Sequence, residues 1–363
     1  MAATGRRVRF NRGSLLNSTA ARPLPAVGPD GIRSSTPANA LQHPVMRDCY
    51  SVSTETAAQA VEHSGMGDST MNRLGVILLA VAALLSGQIA RPQGAQGHKD
   101  LLAVNGTRLY VESLGHGTPV LFLHGGLMFF DNAFAKQRDY FAASHQVIGI
   151  DQRGHGHSPD GPWALSYQMM SDDTAVILKM MKVGKVDVIG HSDGADIALL
   201  LARDHPELVR RVVISGANLR GWSPEVMKAN RGMSAAQIQE KVKHLAASIP
   251  PFFAPDYGAV SPDGRDHWLT LVEKCYWLWG SPVVIDPAQL TTIAAPVLVV
   301  AGDHDFTSLE ETTEIYRGLR HGQLFLVPGT GHGTFQSRPE LMNLAVAEFL
   351  ERPDDTGADG FPN

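Results

Sequence analysis

The sequence predicts an α/β fold, in which a mostly parallel, eight-stranded sheet carries helices on both faces and a helical cap lies over one edge. Two observations support this prediction. From Leu101 onward, short apolar runs typical of buried strands alternate with amphipathic runs typical of helices, and this alternation favours parallel strands joined by crossover helices. Residues 217–290 interrupt it with helical patterns broken by prolines. We therefore expect the core over residues 98–216 and 291–353, and the cap over residues 217–290.

The sheet is expected to open with a hairpin, because an Asn105-Gly106 pair lies between two strand-like runs and favours a tight two-residue turn. Six further runs rich in Val, Ile and Leu have the length and composition of buried strands. The eight predicted strands cover residues 101–104, 107–112, 120–123, 146–150, 186–189, 209–215, 297–301 and 323–327.

Amphipathic stretches between the strands predict helices that cover the sheet. Ligand sites of open α/β sheets lie at the carboxyl ends of the strands, so a cap placed there would cover such a site. The predicted core helices cover residues 169–182, 195–204, 309–318 and 340–350, and the predicted cap helices cover residues 235–247 and 267–278.

The first hundred residues differ in composition from the rest. Residues 1–70 show no helical or strand periodicity, and we expect a disordered leader or the product of an over-extended gene model. From Met71, a short positive start, an apolar run over residues 74–85 and small polar residues have the layout of a secretory signal peptide. Residues 71–97 are thus predicted to be a signal peptide and linker of a secreted or periplasmic protein. Anchoring by an uncleaved signal is the alternative, and residues 354–363 are expected to form a flexible tail.

Composition narrows the classes of partner. The net charge is −5 and the pI about 6.3, which gives no basic excess for binding nucleic acid or anionic lipid. We expect a small-molecule substrate, no nucleic acid and no stable membrane insertion once the signal is removed. Cys49 and Cys275 are the two cysteines of the sequence, too few for a disulfide scaffold or a cysteine zinc site. Neither a metal nor an organic cofactor is expected, and the oligomeric state stays open.

The strongest chemical signal is a Gly-His-Ser-Asp-Gly run at residues 190–194, directly after a predicted strand and before a predicted helix. A G-x-S-x-G run in that context presents the serine on a tight strand-to-helix turn, here called the elbow. Glycines on either side allow backbone crowding that a Cβ would block. Ser192 is therefore the predicted nucleophile.

Two later loops supply the partners that a serine nucleophile needs, in the chain order serine, acid, histidine. Gly-Asp-His-Asp ends at Asp305 after one predicted strand, and Gly-Thr-Gly-His ends at His332 after the next. His332 would take the proton from Ser192, while a carboxylate holds its imidazole in the useful tautomer. Backbone amides of Asp193 and Gly126 are the predicted oxyanion hole, with Gly126 favoured over Leu127 because glycine permits close approach.

Together with His-Gly-Gly at residues 124–126 and Asp-Gln-Arg-Gly-His-Gly-His-Ser at residues 151–158, these motifs resemble the α/β-hydrolase superfamily over residues 101–352. The resemblance implies that Asp305, not Asp303, is the triad acid. The Ser-Asp-Gly elbow is also similar to the valacyclovir-hydrolase branch of esterases, where the acidic residue after the nucleophile helps to bind a substrate amino group. From the residues alone, the Asp193 carboxylate has a second possible role, which is to stabilise the helix start.

Leu127 and the cap residues Trp222 and Trp277 are candidate substrate contacts, although large cap aromatics also serve the cap's own core. We expect hydrolysis of a small carboxylic ester, or a related lactone or amide, through an acyl-serine intermediate. Carbon–carbon bond hydrolysis or cofactor-free perhydrolysis on the same triad are alternatives. A non-catalytic or slow-turnover ligand receptor on the same fold is the alternative from another class.

Overall fold

The computed structural model describes residues 97–281 and 285–352. The predicted leader, the predicted signal peptide up to residue 96 and the predicted tail lie outside these residues. Among the helices of the described ranges, none has both the length and the apolar character that crossing a bilayer requires.

The predicted sheet is confirmed. Its eight strands have the spatial order β1-β2-β4-β3-β5-β6-β7-β8. β2 pairs antiparallel with β1 and with β4, and the other neighbours run parallel. The strands are β1 (His98–Val104), β2 (Thr107–Gly115), β3 (Thr118–Leu123), β4 (His145–Ile150), β5 (Val186–His191), β6 (Val209–Ser215), β7 (Val297–Gly302) and β8 (Gly322–Val327).

The opening hairpin turns at the predicted pair. Asn105 and Gly106 both have positive φ, 42° and 79°, as a two-residue hairpin turn with the twist of the sheet requires. β1 begins three residues before the predicted start, at His98. Its first residues are exposed on the sheet edge, so they lack the apolar character by which buried strands are recognised.

Successive residues of the parallel strands enter two different apolar layers, because side chains alternate across a sheet. Val120 and Phe122 of β3 lie in one layer, which is completed by the first and last helices of the core. Leu121 and Leu123 lie in the other, which continues without a break into the cap. The cap therefore shares its core with one face of the sheet.

The ten α-helices of the described ranges include all the predicted ones, with ends shifted by at most two residues. The first helix was not predicted, although Phe130, Phe134 and Phe141 bury one side of it. Three short helices were not predicted either, namely Pro224–Arg231, Phe253–Val260 and Thr334–Ser337. The core helices are α1 (Phe130–Phe141), α2 (Tyr167–Met181), α3 (Asp193–Asp204), α8 (Leu309–Gly318), α9 (Thr334–Ser337) and α10 (Pro339–Glu351), and the cap helices are α4 (Pro224–Arg231), α5 (Ala235–Ser248), α6 (Phe253–Val260) and α7 (Trp268–Trp279).

A buried core carboxylate fastens the cap at the start and in the middle of α7. Asp160, in the loop between β4 and α2, contacts Nζ of Lys274 at 2.5 Å and Nε2 of His267 at 2.8 Å. The side chain of Asp160 is 5% exposed, so water weakens these contacts less than it would at the surface. This part of the cap is thereby held to the core.

Candidate active site

Ser192 occupies the elbow between β5 and α3, with φ 54° and ψ −122°. A positive φ is unfavourable for a residue with a Cβ and is kept only where the surroundings enforce it. Here the crowding is visible in the flanking glycines. A Cβ at Gly190 would lie 2.3 Å from the Gly194 carbonyl oxygen, and one at Gly194 would lie 2.0 Å from the Leu123 carbonyl oxygen. The sequence thus folds here in a way that exposes Ser192 to the cavity described below.

Asp305 and His332 are brought into direct contact by the loops after β7 and β8. Oδ1 of Asp305 lies 2.8 Å from Nδ1 of His332, and the Asp305 side chain is completely buried. The same oxygen accepts the backbone N–H of Thr307 at 3.0 Å. Asp303 instead accepts the N–H of Thr330 at 3.2 Å. The carboxylate in contact with the histidine is therefore that of Asp305.

Ser192 and His332 line the same cavity. Nε2 of His332 is buried and makes no hydrogen bond within the described ranges, so a hydrogen bond to the Ser192 hydroxyl is not formed in this conformation. Such bonds between base and nucleophile often tighten only when substrate binds. The structure thus places the three predicted residues at one site. Asp305 and His332 are in hydrogen-bond contact, whereas Ser192 is not bonded to His332.

Two neighbours of His332 were not predicted from the sequence. His191, inside the elbow, contacts the backbone oxygen of His332 through Nε2 at 3.0 Å. Burial, together with the nearby His332, lowers the pKa of His191 to about 4, so His191 is neutral at pH 7 and donates this bond. The ring of Phe306 stacks on the His332 imidazole at 4.0 Å, although Phe306 is 76% exposed. Both side chains therefore hold the histidine loop in place.

The two predicted oxyanion-hole residues lie side by side. A Cβ at Gly125 would lie 3.0 Å from Cβ of Ser192, and one at Gly126 would lie 2.5 Å from Oδ2 of Asp193. The loop after β3 thus passes directly against the elbow. Asp193 is the first residue of α3, where backbone amides have no partner within the helix. This arrangement suits the stabilisation of a negative oxygen.

The Asp193 carboxylate has partners that neither predicted role included. Oδ1 accepts a hydrogen bond from Oη of Tyr167 at 3.0 Å and from Nε1 of Trp279 at 2.9 Å. Burial raises its pKa to about 6, and the two donors oppose that rise. Tyr167 begins α2, whereas Trp279 ends the cap helix α7. The carboxylate therefore links the elbow to the core and to the cap.

The cavity has a volume of about 690 Å³, and the site residues form its floor. Leu127 and Trp222, both predicted substrate contacts, line it, whereas Trp277 is not among its lining residues. Trp277 and Trp279 are two positions apart on α7, about 200° around the helix axis, so only Trp279 faces the site. The apolar side chains that the cap adds to the cavity wall are Trp222, Leu245, Ile249, Pro250, Phe252, Phe253 and Trp279.

Within residues 97–281 and 285–352, no three His, Cys, Asp or Glu side chains are grouped so that they could bind a metal ion. The polar residues that line the cavity include Ser192, Asp193 and His332, and also Asn132, Arg220 and Gln336. The arrangement supplies a nucleophile, a base with its carboxylate and two backbone donors.

The chain is similar to known families and proteins. A family model described as the alpha/beta hydrolase fold matches residues 118–253, and one described as a TAP-like protein matches residues 261–360. The human serine hydrolase BPHL is 31% identical over 295 residues, which are 79% of this chain and 99% of BPHL. The zebrafish (Danio rerio) sn-1-specific diacylglycerol lipase ABHD11 is 31% identical over 71% of this chain and 86% of its own. The solved structure of Est816, titled an N-acyl homoserine lactone degrading enzyme, has a TM-score of 0.56 and 24% identity, and covers 69% of this chain and all of its own.

Proposed function

This chain belongs to the α/β-hydrolase superfamily, and from that premise we propose that it hydrolyses a small carboxylic ester, or a related lactone or amide, through an acyl intermediate on Ser192. One observation carries the proposal. Ser192, on its strained elbow, shares a cavity with a His332 imidazole that is held by a fully buried Asp305 carboxylate. A nucleophile, a base and an orienting acid converge there as acyl transfer requires.

In the proposed mechanism, Oγ of Ser192 attacks the carbonyl carbon while its proton passes to Nε2 of His332. Asp305 stabilises the imidazolium that results. The oxygen of the tetrahedral intermediate becomes negative and is bound by the amides of Gly126 and Asp193. The intermediate then expels the alcohol, which takes the proton from His332. Water activated by the same imidazole cleaves the acyl-serine and regenerates the hydroxyl.

The cavity supports a substrate with an apolar portion. Its volume of about 690 Å³ lies within the range of small-molecule sites. Cap side chains such as Leu245, Ile249 and Phe253 add an apolar wall, against which an alkyl or aryl group would be buried. A lipase and a lactone-degrading enzyme among the similar proteins further support the class of ester and lactone substrates.

Replacement of Ser192 by alanine tests the proposal. Turnover of short-chain chromogenic esters should fall by several orders of magnitude, because the triad acts as a unit, while the thermal unfolding midpoint stays close to that of the wild type. Ser144→Ala is a matched control, since Ser144 precedes β4 at the opposite, amino edge of the sheet. Retention of a tenth of the activity by the Ser192 variant would remove Ser192 from the mechanism. A wild type without turnover on esters, lactones and amides would favour the ligand-receptor alternative.

We also propose that the protein is exported, with a mature terminus after the apolar run at residues 74–85. The three-part layout from Met71 supports this proposal. Amino-terminal sequencing of material recovered from the native host would test it. An intact Met1 in the cytoplasmic fraction would contradict it.

A further inference from the structure

The indole of Trp279 touches both candidate oxyanion-hole residues. Its Nε1 lies 2.9 Å from Oδ1 and 3.1 Å from Oδ2 of Asp193. A Cβ at Gly126 would lie 2.9 Å from Cζ2 and 3.1 Å from Nε1 of the same ring, so the indole lies against the Gly126 backbone. Trp279 is the last residue of the cap helix α7. A cap side chain thus reaches the two core residues whose amides would bind the oxyanion.

The charge of Asp193 makes this contact chemically important. Its amide is expected to stabilise a negative oxygen, yet its own carboxylate is negative and 5% exposed. Two negative charges close together in a buried site repel strongly. The carboxylate accepts hydrogen bonds from neutral donors, Nε1 of Trp279 and Oη of Tyr167. These donors, one from the cap and one from α2, fix the direction of the carboxylate and stabilise its negative charge.

We propose that Trp279 is a positioning residue of the oxyanion hole, which holds the Asp193 carboxylate away from the reacting oxygen and fixes the Gly126 backbone from the cap side. This role rests on the proposed acyl-transfer function. Because Trp279 belongs to the cap, the oxyanion hole is complete only when α7 is packed on the core. The position of the cap therefore affects catalysis.

Because Trp279 acts through Asp193 and Gly126, its loss should affect the transition state more than the bound substrate. The alternative is that Trp279 only adds apolar surface to the cavity, in which case its loss weakens substrate binding and transition-state binding alike. The two roles are separated by comparing kcat with KM. They are also separated by comparing a trifluoromethyl ketone, which forms a tetrahedral oxyanion adduct with the serine, with the corresponding methyl ketone.

The central variant is Trp279→Phe, which keeps an aromatic ring and removes the N–H donor. Trp277→Phe is the matched control, because it makes the same change on the same helix at a ring that contacts Tyr276 and is not among the cavity-lining residues. We expect Trp279→Phe to lower kcat roughly ten- to a hundredfold, below the loss typical for removing an oxyanion donor itself. The inhibition constant of the trifluoromethyl ketone should rise by the same factor. KM, the methyl ketone constant and the Trp277→Phe variant should change by less than about threefold.

A second substitution keeps the test decisive if Trp279→Phe unfolds. Tyr167→Phe removes the other donor to Asp193 from a core helix, and should lower kcat in the same direction. When Asp193 is already alanine, adding Trp279→Phe should lower kcat by less than about threefold, because two substitutions that remove the same interaction do not have additive effects. Two results would overturn the proposed role. One is that Trp279→Phe weakens methyl ketone binding by the same factor as it lowers kcat. The other is that Trp279→Phe lowers kcat as much in the Asp193→Ala protein as in the wild type. If the wild type itself neither turns over esters nor reacts with a serine-directed phosphonate, the proposed function fails and the role of Trp279 fails with it.

Discussion

Asp305→Asn, compared with Asp303→Asn, tests the identity of the triad acid. The two residues lie two positions apart in one loop and the chemical change is the same, so the pair controls for loop disturbance. Oδ1 of Asp305 accepts from both His332 and Thr307. An asparagine that keeps its carbonyl oxygen there preserves both contacts and removes only the negative charge.

The size of the loss follows from the geometry. An Oδ1 to Nδ1 distance of 2.8 Å places the centres of the two charged groups about 4 Å apart, where unit charges attract by about 4 kcal/mol at an effective dielectric constant of about 20. This attraction acts only on the imidazolium of the transition state, so kcat should fall roughly a thousandfold. If the asparagine instead turns its amide toward His332, the imidazole takes the wrong tautomer and the loss approaches about ten-thousandfold.

The assay is kcat/KM on a short-chain chromogenic ester, with thermal unfolding as a measure of folding. Asp303→Asn should lose less than about threefold, because an asparagine oxygen still accepts the Thr330 N–H that Asp303 accepts now. A larger loss for Asp303→Asn than for Asp305→Asn would refute the assignment of the acid.

Three further outcomes are expected. Gly126→Ala should lower kcat by roughly a hundredfold, because its Cβ would lie 2.5 Å from Oδ2 of Asp193; an unchanged kcat would show that the oxyanion is bound elsewhere. His191→Gln should reduce the acid sensitivity of folding. Burial holds the folded pKa of His191 at about 4, against an ordinary 6.5, so the unfolded chain binds the extra proton and stability is lost as pH falls from 6.5 to 4. At about 1.4 kcal/mol per pKa unit this is about 3 kcal/mol, measurable by urea unfolding of variant and wild type at both pH values, and an identical pH dependence would contradict it. Asp193→Ala should lower kcat/KM for an α-amino ester and its des-amino analogue by equal factors, since its carboxylate is already bonded to Tyr167 and Trp279; a selective loss on the amino ester would instead support ammonium recognition.

The fold was predictable because apolar runs mark the buried strands. The loops that carry Asp303, Asp305 and His332 each follow such a strand, so parallel pairing brings these loops to one edge of the sheet. The choice of Asp305 over Asp303 came from the resemblance to the α/β-hydrolase superfamily and not from a local signal. Helix α1 could also have been found, from the spacing of its buried phenylalanines. The hydrogen-bond partners of the Asp193 carboxylate could not be predicted from the sequence. Which side of α7 faces the core depends on how the cap packs. The substrate contact predicted from the sequence was therefore Trp277, which does not line the cavity, and not Trp279, which does.

The cap is held to the core more firmly along α7 than at the junction of α6 with α1. His267, directly before α7, and Lys274, in the middle of α7, contact the buried Asp160, and Trp279 at the end of α7 binds Asp193. By contrast, α6 meets α1 through a hydrogen bond of 3.5 Å between Asn132 and Asp256, which is at the limit for such a bond. We expect ligands to enter and leave beside α6, where Phe252 is 54% exposed, while α7 stays in place. Ligand entry and oxyanion binding then take place at different walls of one cavity. The α6 side can move to admit a ligand while the contacts of Trp279 with Asp193 stay in place.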